Sequence, residues 1–339
     1  MKKIVILFIG LLTAFSVTAQ TKTNIPVAIH LKNGKTVTFD RNQIDSTRYI
    51  FTPEGDSLGV KVYVKGQESA DFLHSQISYI EFYTITPSEN VNKNNTADLA
   101  KNPEGWRIEF PRMYQGSDPT FEVTHSTASY GITYSLEWDG TKKANRWTCY
   151  EMYAGNMAQN VKRTDDFRED SIIPATYRTT LTDYSGSGYS RGHLCPSADR
   201  LCSQEQNSQT FYLSNMQPQI QEHNGGVWND LENKIRTYAG KCDTLYIVKA
   251  ATIDNDTDIL THTTSGLIVP RYFYMALMMY TKATNTYQAI GLWSPHAANS
   301  TTEYISIDEL EKRTGIDFFC NLPDDIEATV ESTFDKSLW

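Results

Sequence analysis

Strand-like runs recur along this chain of 339 residues, and segments with helical spacing are few. Near the N-terminus Ile25-Pro26-Val27-Ala28-Ile29-His30-Leu31, Thr36-Val37-Thr38-Phe39 and Tyr49-Ile50-Phe51 have strand character. So do Val60-Lys61-Val62-Tyr63-Val64, where apolar and polar positions alternate, and Ile77-Ser78-Tyr79-Ile80-Glu81-Phe82-Tyr83. Asn33-Gly34 supplies a tight-turn signal, so residues 24–86 are predicted to form a small β-rich module. Five further strand-like runs occupy 134–138, 146–152, 245–252, 272–280 and 287–293. Helical spacing appears where Val227, Leu231 and Ile235 recur every fourth residue, with Trp228 filling the adjoining position, which predicts a helix within 219–238. A later helix starts at Ser306, where Ser306 and Glu309 fit a capping box, and stops near Gly315. This order predicts an α+β fold with a mainly antiparallel sheet, preceded by the β-rich module.

The boundaries follow from composition. Residues 1–19 read as an export signal, with Lys2 and Lys3 before an apolar core at 4–12 and a small-residue cleavage site at Val17-Thr18-Ala19. That core is too short to span a bilayer, so cleavage before Gln20 is expected to leave a secreted or periplasmic protein with no membrane insertion. Residues 20–86 form the accessory module. Residues 87–103 form a linker, polar through Ser88-Glu89-Asn90-Val91-Asn92-Lys93-Asn94-Asn95-Thr96. Residues 104–339 form the second domain.

Hydrophobic content of 40% and charged content of 21% are those of a folded protein and exclude large-scale disorder. A formal charge of −9 is the reverse of the basic balance that attracts polyanions. Affinity for one would have to come from local arginines and a bound cation. Five cysteines form an odd set, so export leaves at least one free or paired between chains.

Candidate chemistry gathers between Tyr184 and Arg236. The Gly/Ser loop Ser185-Gly186-Ser187-Gly188 leads into Tyr189-Ser190-Arg191-Gly192-His193-Leu194-Cys195-Pro196. Glycine beside the histidine permits close approach of backbone or substrate, and the loop forms an exposed mouth. Asn215-Met216-Gln217-Pro218-Gln219 follows, then Asn224-Gly225-Gly226-Val227-Trp228-Asn229-Asp230-Leu231-Glu232. Asn224, Trp228 and Glu232 lie four apart and are expected on one helix face. An imidazole can act as a general base, an amide oxygen can ligate a hard cation, and a carboxylate can fix the cation's waters.

This ordered set resembles the DNA/RNA non-specific endonuclease family, the Serratia-type nucleases with mitochondrial endonuclease G as a relative, built on the ββα-metal or His-Me finger. Arg-Gly-His, Asn-x-x-Pro-Gln and Asn-x-x-x-Trp-x-x-Leu-Glu occur in the family's order and spacing. Tyr134-Ser135-Leu136-Glu137-Trp138, Arg163 with Phe167 and Asp170, Asp199-Arg200, and Thr314-Gly315-Ile316-Asp317-Phe318-Phe319 extend the likeness over about 106–322. The resemblance implies that His193 is the general base and Asn224 the direct protein ligand of Mg2+, with Mn2+ as a substitute. It assigns Glu232 to the metal's water shell, Arg191 and Arg163 to phosphate charge, and Asn215 to buttressing the finger. The implied reaction is hydrolysis of DNA and RNA to 5′-phosphate ends, by a chain compatible with a homodimer. Two positions depart from the family: Ser190 replaces the usual aspartate, and Met275 stands where lysine is common.

Plainer roles compete residue by residue. Alone, His193 reads as a hydrogen-bonded structural histidine, Asn224 as a helix cap and Glu232 as a solvated carboxylate. Trp228 is expected in the core, Arg178 and Arg200 in ion pairs or at the surface, and His223 at the surface beside Asn224. His193, Cys195 and Cys202 lack the spacing of a zinc site; a Cys195–Cys202 disulfide or simple burial explains the cysteines better. Residues 162–200 carry six basic and six acidic side chains and form no basic patch. Two other functional classes fit the same sequence: a catalytically impaired nucleic-acid-binding protein, and a surface or adhesion protein using the fold as scaffold.

Overall fold

The computed structural model describes residues 26–40, 44–53, 56–66, 68–82, 90, 93–94 and 102–339. The expected export signal and most of the expected linker lie outside these residues. The chain divides into two units, Met1–Ser88 and Glu89–Trp339.

Unit 1 contains β1 (Pro26–Leu31), β2 (Thr36–Asp40), β3 (Ile44–Phe51), β4 (Ser57–Val64), β5 (Ala70–Leu73) and β6 (Ile77–Phe82). They form two antiparallel three-stranded sheets, ordered β2-β1-β6 and β3-β4-β5. The Asn33-Gly34 turn joins β1 to β2, with Gly34 at φ +84°, a left-handed conformation that favours glycine. Val60, Val62 and Val64 of β4 point into a core with Ile29, Phe39 and Phe72, as the alternation of that strand dictates.

Unit 2 is built on a seven-stranded sheet ordered β17-β16-β15-β12-β9-β8-β7. Its strands are β7 (Thr120–Thr127), β8 (Gly131–Asp139), β9 (Ala144–Met152), β12 (Thr244–Ala251), β15 (Tyr272–Thr281), β16 (Thr286–Pro295) and β17 (Glu303–Ile305). Every neighbouring pair in it is antiparallel. Two further hairpins lie outside this sheet: β10 (Ser190–His193) with β11 (Met216–Gln219), and β13 (Ile259–His262) with β14 (Ile268–Pro270).

Both faces of the large sheet are covered. From β12, Leu245, Ile247 and Ala251 enter one core with Trp228, Leu231 and Ile235. After the short helices α1 (Leu181–Tyr184), α2 (Gln204–Gln209) and α3 (Gln221–His223) and the longer α4 (Asn229–Ala239) come α5 (Ile307–Thr314) and α6 (Asp324–Ser332). Tyr246, Val248 and Ala250 enter the other core, against α5 and α6 through Leu310 and Val330. Burial on both sides makes the central strands read as continuous apolar runs. Ser306 caps α5 by accepting from the Glu309 amide at 3.1 Å, and Gly315 ends it at φ +70°. In the stretch read as a linker, Asn90 Nδ2 donates to Cys320 O at 2.8 Å and Asn94 Nδ2 to Pro111 O at 3.1 Å. All five cysteines are unpaired thiols, and Cys195 and Cys202 are buried.

Candidate active site

His193 ends the short strand β10, which pairs antiparallel with β11 so that Arg191 faces Pro218, Gly192 faces Gln217 and His193 faces Met216. Gly192 is needed for this closeness: a Cβ there would lie 2.1 Å from Gln219 Oε1 and 3.0 Å from Gln217 O. Asn215, at the entry to β11, locks the hairpin. Its Nδ2 donates to Cys195 O at 2.8 Å and Thr210 O at 2.9 Å, and its Oδ1 accepts from the Cys195 amide at 2.8 Å. Ser190, where the family has aspartate, donates to Gln221 Oε1 at 2.7 Å and so ties β10 to the start of the following helix.

That helical stretch begins as α3 (Gln221–His223), passes through a π turn at Asn224–Trp228 and continues as α4 (Asn229–Ala239). Gly226 is non-helical, at φ −103° and ψ −114°. The break corrects the expectation that Asn224, Trp228 and Glu232 share one face, because the wide turn rotates Asn224 away from the other two. Asn224 lines a cleft, whereas Trp228 and Glu232 are buried toward the sheet. The Asn224 backbone N–H donates to Ile220 O at 2.9 Å, but its side-chain amide makes no hydrogen bond among the described residues, which leaves the side-chain oxygen available to a cation.

The cleft holds about 730 Å³. Arg163, Arg191, Asn224 and Gln221 line it, with Tyr184, Ser185 and Tyr189 from the Gly/Ser loop. The two arginines lie over aromatic rings: Arg191 is 3.8 Å from the centre of Phe167, and Arg163 is 4.7 Å from that of Phe211. Those rings in turn flank His193, at 5.7 Å and 5.1 Å between centroids. Its Nε2 is buried and unpartnered among the described residues. Burial, reinforced by the positive charges of Arg163, Lys249 and Arg191, pushes the imidazole pKa down to about 3. The ring is therefore neutral at physiological pH and can accept a proton.

Glu232 does not line the cleft. It sits 3.3 Å from Nζ of Lys249, a fully buried lysine on β12. Burial raises the Glu232 pKa, and Lys249 opposes the rise. Lys249 belongs to no motif, and its one signal in the sequence is a lone cation inside the apolar run Leu245-Tyr246-Ile247-Val248-Lys249-Ala250-Ala251. Met275 is the cross-strand partner of Lys249 and is fully buried. The position where the family commonly has lysine is thus apolar here, while the neighbouring strand supplies an ammonium at the paired position.

Other expectations divide. Trp228 is in the core, and Arg178 pairs with Glu169 at 3.4 Å. Arg200 departs from its expected ion pair or surface position: it is fully buried, forms no ion pair among the described residues, and donates to the backbone oxygens of Thr133, Asp199 and Glu151. His223 is a correction, since it is buried and not at the surface. Its ring bonds to Gln219 Nε2 at 2.5 Å and Ser294 Oγ at 3.0 Å and stacks with Trp228, which excludes it from metal ligation in this arrangement. Burial, with a smaller contribution from His296, lowers its pKa to about 3.

A hairpin leading into a helix, with a histidine on the hairpin and an asparagine on the helix, defines a ββα nuclease finger. The family model for DNA/RNA non-specific endonucleases matches residues 117–325, and the chain belongs to that family and is an endonuclease. A "Nuclease" of Nostoc sp. is 31% identical over 229 residues, covering 65% of this chain and 83% of that protein. Human mitochondrial nuclease EXOG is 28% identical over 218 residues, covering 60% of this chain and 59% of that protein. The chain thus spans more than half, but not all, of the mitochondrial relative's length. Among solved structures, a chain of the EndoG/EndoGI complex shares the fold, with a TM-score of 0.51 and 23% identity over 63% of this chain and 90% of that one.

Proposed function

We propose that this protein is an exported, Mg2+-dependent nuclease that hydrolyses phosphodiester bonds of DNA and RNA, with His193 as general base and Asn224 holding the metal. The observation that carries the reading is the pairing of a neutral imidazole beside the cleft with an unpartnered amide on it. The donor set fits a hard cation: one amide oxygen in a cleft with room for water suits an ion that keeps most of its hydration shell. When bound, Mg2+ supplies positive charge to the phosphoryl group and the leaving 3′-oxygen.

The chain's own residues do the rest. His193 takes a proton from water at Nε2 as the water attacks phosphorus. Arg191 and Arg163 hold the phosphate and its growing negative charge. Because Nε2 is closed off in the free protein, the stacks of Arg191 on Phe167 and Arg163 on Phe211 must shift to admit water. A phosphate that draws the guanidinium groups away provides that opening. Glu232 is held by Lys249 away from the cleft lining, so its part is to fix the helix that continues from Asn224 rather than to order the metal's water. Contacts restricted to phosphate and metal read no bases and so leave the enzyme indifferent to sequence and sugar.

The test is plasmid and RNA cleavage by residues 20–339 with Mg2+, with Mn2+ and with chelator. Cleavage is expected with either ion, with 5′-phosphate ends. Full activity in chelator would overturn the metal role. Bound but intact DNA would favour the impaired, binding-only protein instead. Export is tested by following the mature N-terminus, expected at Gln20.

A further inference from the structure

On the sheet face away from the finger, α5 and α6 bring together carboxyl groups that the nuclease reaction does not use. A carboxylate oxygen from each of Asp308, Glu311 and Glu331 lies within 4.8 Å of the others. Glu331 is only 5% exposed, and its Oε1 is buried with no hydrogen-bond partner among the described residues. Glu311 is fixed in place by accepting from the Phe318 amide at 2.7 Å. A buried carboxyl without a donor is costly unless it takes up a proton or a cation.

We propose that Asp308, Glu311 and Glu331 form a second metal site that binds Ca2+ and staples α5 to α6, separate from the nuclease cleft. Oxygen-only donors from three carboxylates in an irregular arrangement suit calcium, which tolerates irregular geometry, better than the strict octahedron of magnesium. Burial, together with the neighbouring carboxylates Glu311, Glu327, Asp317 and Asp308, disfavours the charged form of Glu331, and a bound cation would relieve that cost.

The experiment titrates Ca2+ alone into residues 20–339 carrying Asn224→Ala, so that the cleft metal cannot account for the result. One calcium per chain is expected, seen by calorimetry as a single saturable binding isotherm. A rise in Tm of about 5 °C at saturation is also expected. Adding Glu331→Gln should weaken binding at least tenfold. Asp308→Asn, at an exposed position, should do so without disturbing the core, which keeps the test decisive if the first change misfolds. No calcium binding in the Asn224→Ala protein, or binding unchanged by both substitutions, would overturn the second site. Neither result touches the nuclease reading, whose failure would appear in the cleavage assay.

Discussion

His193, the proposed base, is a neutral imidazole flanked by two phenylalanines that carry two arginines, and its pH behaviour follows from that setting. Its pKa lies near 3, well below the usual 6.5, so it can accept a proton throughout neutral and mildly acidic solution. The acid limb of kcat/KM, which reports the free enzyme, is therefore expected well below pH 6. Arg163→Gln removes a charge that lowers this pKa, so the limb should move up in pH; no movement would separate the arginine from the base. Lys249→Met strands Glu232 as a buried, unpaired carboxyl, at a cost of up to about 3–5 kcal/mol in urea unfolding, reduced if Glu232 takes a proton. Adding Glu232→Gln should recover most of that stability. His193 and Asn224 were legible because the motif fixes their spacing. Lys249 was not, since its partner lies on another element and sequence does not show which helix crosses β12.

At the scale of elements, the finger depends on the contact between β10 and β11. Gly192→Ala places a methyl group against Gln219, so it should cost roughly 1–3 kcal/mol in denaturant unfolding. Activity should fall further than stability, because His193 is the next residue. For α5 and α6, the raised Glu331 pKa fixes a sign. Between about 4.5 and 10 the unfolded chain gives up this proton and the folded one keeps it, so stability is lost as pH rises through that window. In calcium-free buffer Glu331→Gln, which mimics the protonated group, should raise Tm at pH 8, with the difference vanishing toward pH 4.5. The five inner strands of the large sheet were legible as apolar runs because both faces are buried. β5 and β7 were missed: Ala70-Asp71-Phe72-Leu73 is short, and Thr120–Thr127 is polar at an edge of its sheet. The π turn was hidden as well, because spacing of four residues assumes an unbroken helix.

For the whole molecule, a formal charge of −9 must be reconciled with polyanionic substrates. The resolution is local: Arg163 and Arg191 line the cleft, and the proposed cation would add to them. Two phosphate contacts predict a shallow salt dependence, with log affinity for duplex DNA falling against log salt with a slope of about −2. A slope several times steeper would require a basic track elsewhere. The fold class was legible from element order alone. The function was legible only from the motif, since charge and composition point away from nucleic acid.

The most direct test compares nicking of supercoiled plasmid by residues 20–339 and by the His193→Ala form, each with Mg2+ and with excess chelator. Loss of the base should lower the Mg2+-dependent rate by about 10²–10⁴-fold, and chelator should abolish nicking by the unsubstituted protein. Nicking by His193→Ala at the unsubstituted rate, or nicking that persists in chelator, would contradict the account.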